Sequence, residues 1–335
     1  MKAGLPLLFL CLLAAPSMAQ DTVFTEVTPL AGNAELTRRL LTPLTLVQMQ
    51  KALARDRQSL SEQPLAIANE KFLMHLPPNE PANGYGLMVF VPPWRDARLP
   101  RGWASVLDGE GIIFVSAVNS GNDQYDMSRR MPLAVVAAHN AMRRYHVDPA
   151  RVFVAGMSGG SRVAMRLALG YPDVFSGALL NAGSDVPGTK EASVPPRDLF
   201  RRFQETSRLV YLTGERDSVN LEADRHSASA MRALCMFNTE IIVARGLGHE
   251  TADPASLSRG LKALQTPGQT DPARLQSCRG GIENEMASGL DRTEAPQTQG
   301  KREEARTLLY EIDQRYGGLA APRSIELDSR LEKLP

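Results

Sequence analysis

The stretch Arg151-Val152-Phe153-Val154-Ala155-Gly156-Met157-Ser158-Gly159-Gly160-Ser161 decides the fold. Val152 to Ala155 is a continuous apolar run, which reads as a strand buried on both faces, and residues 159–170 have helical periodicity. A strand therefore enters a helix through Gly156-x-Ser158-x-Gly160. In such a turn the serine stands at the tip of a sharp bend, and side chains two positions before or after it would collide across the bend. The following helix points its N-terminus at the serine, so the Gly159 N–H and the helix dipole favour developing negative charge there. Ser158 is either a nucleophile or the cap of its helix; the strand before it and the helix after it favour the nucleophile. Ser161 falls inside the helix and is the weaker candidate.

On either side of this stretch the chain alternates two textures. Apolar runs at Phe72–Leu76, Leu87–Val91, Ile112–Val118, Ala178–Leu180, Leu209–Leu212 and Ile241–Val243 read as strands, several of them continuous rather than alternating. Between them, 130–146, 219–236 and 253–265 read as helices. This order predicts an α/β fold with a mostly parallel central sheet and helices on both faces. Residues 77–84, Pro-Pro-Asn-Glu-Pro-Ala-Asn-Gly, predict a hairpin joining the first two strands at one edge.

A serine needs a base to take its proton, and the base needs an acid to orient it. Of the five histidines, His75 lies in the opening strand, His139 and His146 on the helix before the elbow strand, and His226 in a helix among polar neighbours. His249 differs, because it follows the strand at 241–245 in the loop Gly246-Leu247-Gly248-His249-Glu250, at a strand end where chemistry sits in open sheets. For the acid, the strand Leu209–Leu212 runs into Thr213-Gly214-Glu215-Arg216-Asp217. Asp217 is the candidate, Glu215 is its rival, and Asp217 can alternatively serve as the N-cap of the next helix. The chain order Ser158, Asp217, His249 is the one the α/β-hydrolase topology requires.

Composition narrows the function classes. The chain has 335 residues, 38 Lys and Arg against 37 Asp and Glu, which leaves no dense positive charge to hold a nucleic acid or an anionic membrane surface. Lys2, the apolar stretch Leu5–Ala15 and Ser17-Met18-Ala19 predict a cleavable secretory signal over residues 1–19, too short for a stable membrane anchor. Cleavage after Ala19 would remove Cys11 and leave Cys235 and Cys278 in an oxidising compartment, either paired or as two separate thiols. Residues 20–66 read as a helical lead-in, in which Pro43 breaks or starts a helix, 67–266 as the catalytic domain, and 267–335 as a charged, partly flexible helical extension. Within that extension 293–300 reads as a flexible connection. The stripe Ala305, Leu308, Leu309, Ile312 and Tyr316, stopped by Gly317-Gly318, reads as the docking face of a helix.

The segment Met131–Gly183, including Asp148-Pro149-Ala150-Arg151 ahead of the elbow and Tyr171-Pro172-Asp173-Val174-Phe175 after it, resembles the secreted polyhydroxybutyrate-depolymerase-like and feruloyl-esterase-like group of α/β-hydrolases. Gly214-Glu215-Arg216-Asp217 and Gly246-Leu247-Gly248-His249 fit the acid and base positions of that fold. The resemblance covers 70–266 and hardly touches 20–60 or 267–335. It implies an exported serine hydrolase that cleaves carboxylic esters through an acyl-enzyme, with Ser158, Asp217 and His249 as triad and without metal or organic cofactor. The group usually carries a His-Gly pair after the strand Leu87–Val91, where this chain has Pro92-Pro93-Trp94-Arg95. Proline has no N–H to donate, so the oxyanion hole is assigned to Gly159 and Trp94, with Arg95 second and an apolar-wall role for Trp94 as the alternative. Asn119 and Asn122 in the next loop either bind substrate or satisfy the turn. The rival functions are a peptidase with the same triad and a catalytically inactive module that binds carbohydrate or peptide.

Overall fold

In a computed structural model of the chain, residues 19–62, 65–266, 268, 270–298 and 301–333 are described. The expected leader therefore lies, but for Ala19, outside the described residues. The strands β1 (Gln20–Val23), β2 (Lys71–His75), β3 (Tyr85–Val91), β4 (Ile112–Ala117), β5 (Val147–Met157), β6 (Gly177–Asn181), β7 (Arg208–Gly214) and β8 (Thr239–Ala244) form one sheet in the order β1-β2-β4-β3-β5-β6-β7-β8. From β4 to β8 the neighbours run parallel, and β1 and β2 are antiparallel at one edge.

The helices are α1 (Asn33–Leu40), α2 (Pro43–Arg55), α3 (Trp103–Glu110), α4 (Met131–Arg144), α5 (Gly159–Gly170), α6 (Arg197–Thr206), α7 (Ser218–Ala233), α8 (Pro254–Gln265), α9 (Pro272–Thr298), α10 (Arg302–Tyr316) and α11 (Arg323–Glu332). Alternate residues of the central strands feed two cores, as the two-residue period of a strand demands. Leu87, Val89 and Val91 of β3 join the core under α4 and α5, whereas Met88 and Phe90 join the one under α3 and α8. This is the α/β-hydrolase arrangement.

Four sequence expectations need correction. Residues 77–84 do not close a hairpin between neighbours, since β4 lies between β2 and β3. All seven residues of β3 are buried, so β3 requires a partner on each side and takes β4 and β5, while the partly exposed β2 is displaced toward the edge. The lead-in is not wholly helical, because it opens with β1, whose polar Gln-Asp-Thr-Val sequence pairs with β2. His146 stands just past the end of α4, between that helix and β5. Finally, α9 continues to Thr298, so the segment read as a flexible connection is helical through that residue; 299–300 lie outside the described residues.

Both flanking regions are tied to the central domain. Thr42 caps α2, with Pro43 in its first turn, where the missing N–H costs nothing. Buried Arg39 of α1 pairs with Asp173 at 2.6 Å and with Glu35 at 2.7 Å, and lies over the Tyr171 ring just beyond α5. Ala305, Leu309, Ile312 and Tyr316 of α10 are buried in one continuous core with Leu290 of α9 and Leu327 of α11. Cys235, two residues beyond α7, is disulfide-bonded to Cys278 of α9.

Candidate active site

The elbow is built as its glycines require. Ser158 follows β5 with φ 56° and ψ −121°, a left-handed conformation costing a non-glycine residue about 1–3 kcal/mol and sustained only where surrounding structure fixes it. A Cβ on Gly156 would collide with the Gly160 carbonyl, and one on Gly160 with the carbonyl of Val91 at the end of β3. The first turn of α5 therefore lies directly against the start of the 92–95 loop.

Ser158 Oγ lies 3.0 Å from His249 Nε2, and His249 Nδ1 lies 2.6 Å from Asp217 Oδ2. A carboxylate can only accept, so Nδ1 carries the imidazole proton and Nε2 is left to accept from the serine hydroxyl. Asp217 is largely buried, whereas the His249 side chain is 45% exposed, so the relay runs from a shielded acid to an open base. Burial pushes the Asp217 carboxyl up, but hydrogen bonds from His249 and from the Asn220 side chain and backbone outweigh it and hold the group below its ordinary value. Asp217 is at the same time the N-cap of α7, accepting from the Asn220 N–H at 3.4 Å. The two readings of this residue are therefore compatible.

Acid turn and base loop form one unit. Arg216 N–H donates to Leu247 C=O and Glu215 N–H to Ala244 C=O, each at 2.9 Å. Gly214 lies so close to the Leu247 and Gly248 carbonyls that no larger residue fits. The rival acid Glu215 is turned away from the imidazole, its carboxylate accepting from the Gly246 N–H at 3.0 Å. Two further asparagines were not singled out from the sequence. Asn181, at the end of β6, donates to Leu212 C=O and Glu250 C=O and accepts from the Ala252 N–H, pinning the His249 loop. Asn220 donates to both oxygens of Asp217 at 3.0 and 2.9 Å. The spacing Asp217-x-x-Asn220 is the only signal that could have found it.

The other histidines lie in separate contacts. His75 is buried against Asp108, His146 pairs with Glu80 and His226 with Glu222, and His139 lies 3.6 Å from Glu26. Ser161 Oγ donates to Gly183 C=O. Asn119, at φ 53°, accepts at Oδ1 from Arg95 Nε at 2.7 Å and donates its N–H to Arg95 C=O, which are turn contacts. Asn122 packs its side-chain amide against Gly159 and accepts from Arg130 Nη2 at 3.2 Å. The Trp94 ring packs against the core beside Phe90 and beneath Arg98. Its backbone N–H has no acceptor among the described residues.

Residues 115–233 match the family model described as esterase PHB depolymerase. A poly(3-hydroxybutyrate) depolymerase of Ralstonia pickettii is 31% identical over 106 residues, which is 28% of this chain and 22% of that protein. The match thus spans about a fifth of that relative's length. Among solved structures, the S-formylglutathione hydrolase of Staphylococcus aureus has a TM-score of 0.47 at 10% identity, covering 60% of this chain and 95% of that one. A ferulic acid esterase has a TM-score of 0.43 at 15% identity, covering 58% and 90%. Over its central segment the chain is similar to the polyhydroxybutyrate-depolymerase-like esterases, the group it resembles in sequence.

Proposed function

We propose that this α/β-hydrolase is an exported serine esterase in which Ser158, His249 and Asp217 act in turn on a carboxylic ester. His249 Nε2 takes the Ser158 proton as Oγ attacks the ester carbonyl. The oxyanion of the tetrahedral intermediate is held by the Gly159 N–H and the N-terminal dipole of α5, with the Trp94 N–H as second donor. Collapse expels the alcohol, which leaves with the proton from His249, and Ser158 remains acylated. Water then attacks with His249 again as base, releasing the acid and restoring the serine. Asp217 keeps the proton on Nδ1 and balances the charge of the imidazolium.

The observation that carries this reading is the continuous relay Asp217–His249–Ser158 at the tip of a strained elbow. The match to an esterase family over 115–233 supports ester rather than amide substrates. The leader-like start and the disulfide both fit an oxidising compartment.

The test is Ser158→Ala assayed on short p-nitrophenyl esters. Turnover should fall by about three orders of magnitude or more, with loss of fluorophosphonate labelling; activity at the parent level sinks the triad assignment.

A further inference from the structure

We infer that Asn220 is a positioning residue of the acid–base pair, one that sets how strongly Asp217 draws the proton of His249; this rests on the triad assignment above. The Asn220 amide stands at the meeting point of acid and base. Its Nδ2 donates to both carboxylate oxygens of Asp217, and it lies 3.1 Å from His249 Nδ1. That last contact joins two donors, so it is no hydrogen bond: both N–H groups converge on the same carboxylate.

An asparagine amide has two ends of opposite character, and only one orientation suits this place. Arg162 fixes it. The guanidinium has donors only, and its Nη2 approaches Asn220 Oδ1 at 3.3 Å. With the oxygen held by Arg162, the amino end must face Asp217; the reverse orientation would set a carbonyl against a carboxylate and an amino group against a guanidinium. Arg162 is itself held, 3.4 Å from Asp185. The elbow helix α5, the loop after β6 and the acid turn are thus joined through one side-chain amide.

The chemical consequence follows from sharing. Each hydrogen bond that Asp217 takes from Asn220 draws on the carboxylate charge that also faces the Nδ1–H of His249, and together they fix the plane of the carboxylate. The other charged groups around the pair are few. Arg162 is matched by Asp185, and Asp224 lies buried lower on α7. Glu215 and Arg216 are turned onto the N–H and C=O of Gly246, and Glu250 accepts from the Gly248 N–H. Arg245 is exposed.

The experiment measures the rate of fluorophosphonate labelling against pH for the full chain and for Asn220→Ala and Asn220→Asp, a readout that needs no knowledge of the natural ester. Asn220→Ala removes the two donors and should move the acid limb upward by about half a pH unit, with slower labelling at the plateau. Asn220→Asp keeps the volume but replaces the donor by a second carboxylate against that of Asp217, a like-charge contact that adds negative potential at His249, and should move the limb further, by about one unit. Limbs that superimpose on the parent in both variants, with melting temperatures unchanged, overturn the inference. Ser158→Ala run alongside separates the two levels. If it labels like the parent, the triad itself is wrong; if it is silent while the Asn220 limbs stay fixed, only the role of Asn220 fails.

Discussion

Replacing Asp224 by Asn should stabilise the protein above neutral pH and lose that advantage in acid. Asp224 is fully buried on α7, accepting from Ser184 Oγ at 2.6 Å and from Thr213 Oγ1 at 2.5 Å. Burial raises its pKa from an ordinary 3.8 to about 6, although both hydroxyls pull the other way. Between those two values the folded chain holds a proton that the unfolded chain has released, so the contribution of this group to stability is full below about pH 4 and is lost as pH rises through 6. The difference of 2.2 units, 6 minus 3.8, is worth about 3 kcal/mol once both states are ionised, and about 1 kcal/mol at pH 4.5. Asparagine has the same shape and carries no charge. Its Oδ1 can accept from one hydroxyl and its Nδ2 donate to the other, because a hydroxyl serves in either role. For a chain of this length about 3 kcal/mol corresponds to a melting shift of about 4 °C. Calorimetry of parent and Asp224→Asn should therefore give a difference that grows from pH 4.5 to pH 8. A constant difference, or a variant that melts below the parent at pH 8, refutes the reasoning.

Gly160→Ala should abolish fluorophosphonate labelling, since its methyl would strike the Val91 carbonyl, whereas Gly280→Ala, with open space around it, should label like the parent. Replacing Cys235 and Cys278 by Ser opens a cross-link between residues 43 apart in sequence, at a cost of about 4 kcal/mol on the chain-entropy account. Urea unfolding at fixed pH measures this loss, and ester turnover should change little because the disulfide joins the end of α7 to α9, away from the triad loops.

The central sheet was legible because strands buried on both faces leave continuous apolar runs, as β3, β4, the second half of β5, β6 and β7 do, while the half-buried edge strand β8 still carries the short run Ile241–Val243. The elements missed are those whose sequences do not state their surroundings. β1 is Gln-Asp-Thr-Val, a strand only because β2 offers it an edge. In α6, Leu199, Phe200 and Phe203 do lie on one helical face, but ten residues with three apolar side chains make a weak pattern. The glycines on either side of α3 masked a helix that buries Trp103 and Leu107. Within the candidate site, Ser158, Asp217 and His249 announce themselves by motif and by position at strand ends. Asn181 and Asn220 do not. Their work depends on partners as far as 71 residues away for Asn181 and 58 for Asn220, and a lone asparagine in sequence is indistinguishable from a turn former.

The same principle explains Pro92-Pro93, where the sequence departs from the His-Gly pair of the group it resembles. Two prolines remove two N–H donors, yet their carbonyls remain and both are used. Pro92 C=O accepts from buried Arg130 at 3.1 Å, and Pro93 C=O accepts from the Asn122 N–H at 3.0 Å. Arg130 also donates to Ser120 C=O and to Asn122 Oδ1 and pairs with Asp126 at 2.9 Å. One guanidinium, whose donors lie in a fixed plane, thereby holds the loop after β3 against the loop after β4, while Gly121 lets the second loop close onto the Trp94 backbone. Proline suits such a segment, because it fixes φ and limits the states the loop must give up on folding. The first residue after the pair with an N–H to offer is Trp94, and among the described residues no acceptor takes it. In the function proposed above this N–H is the second oxyanion donor, and a donor placed where charge develops stabilises the transition state more than the ground state, which is what accelerates a reaction.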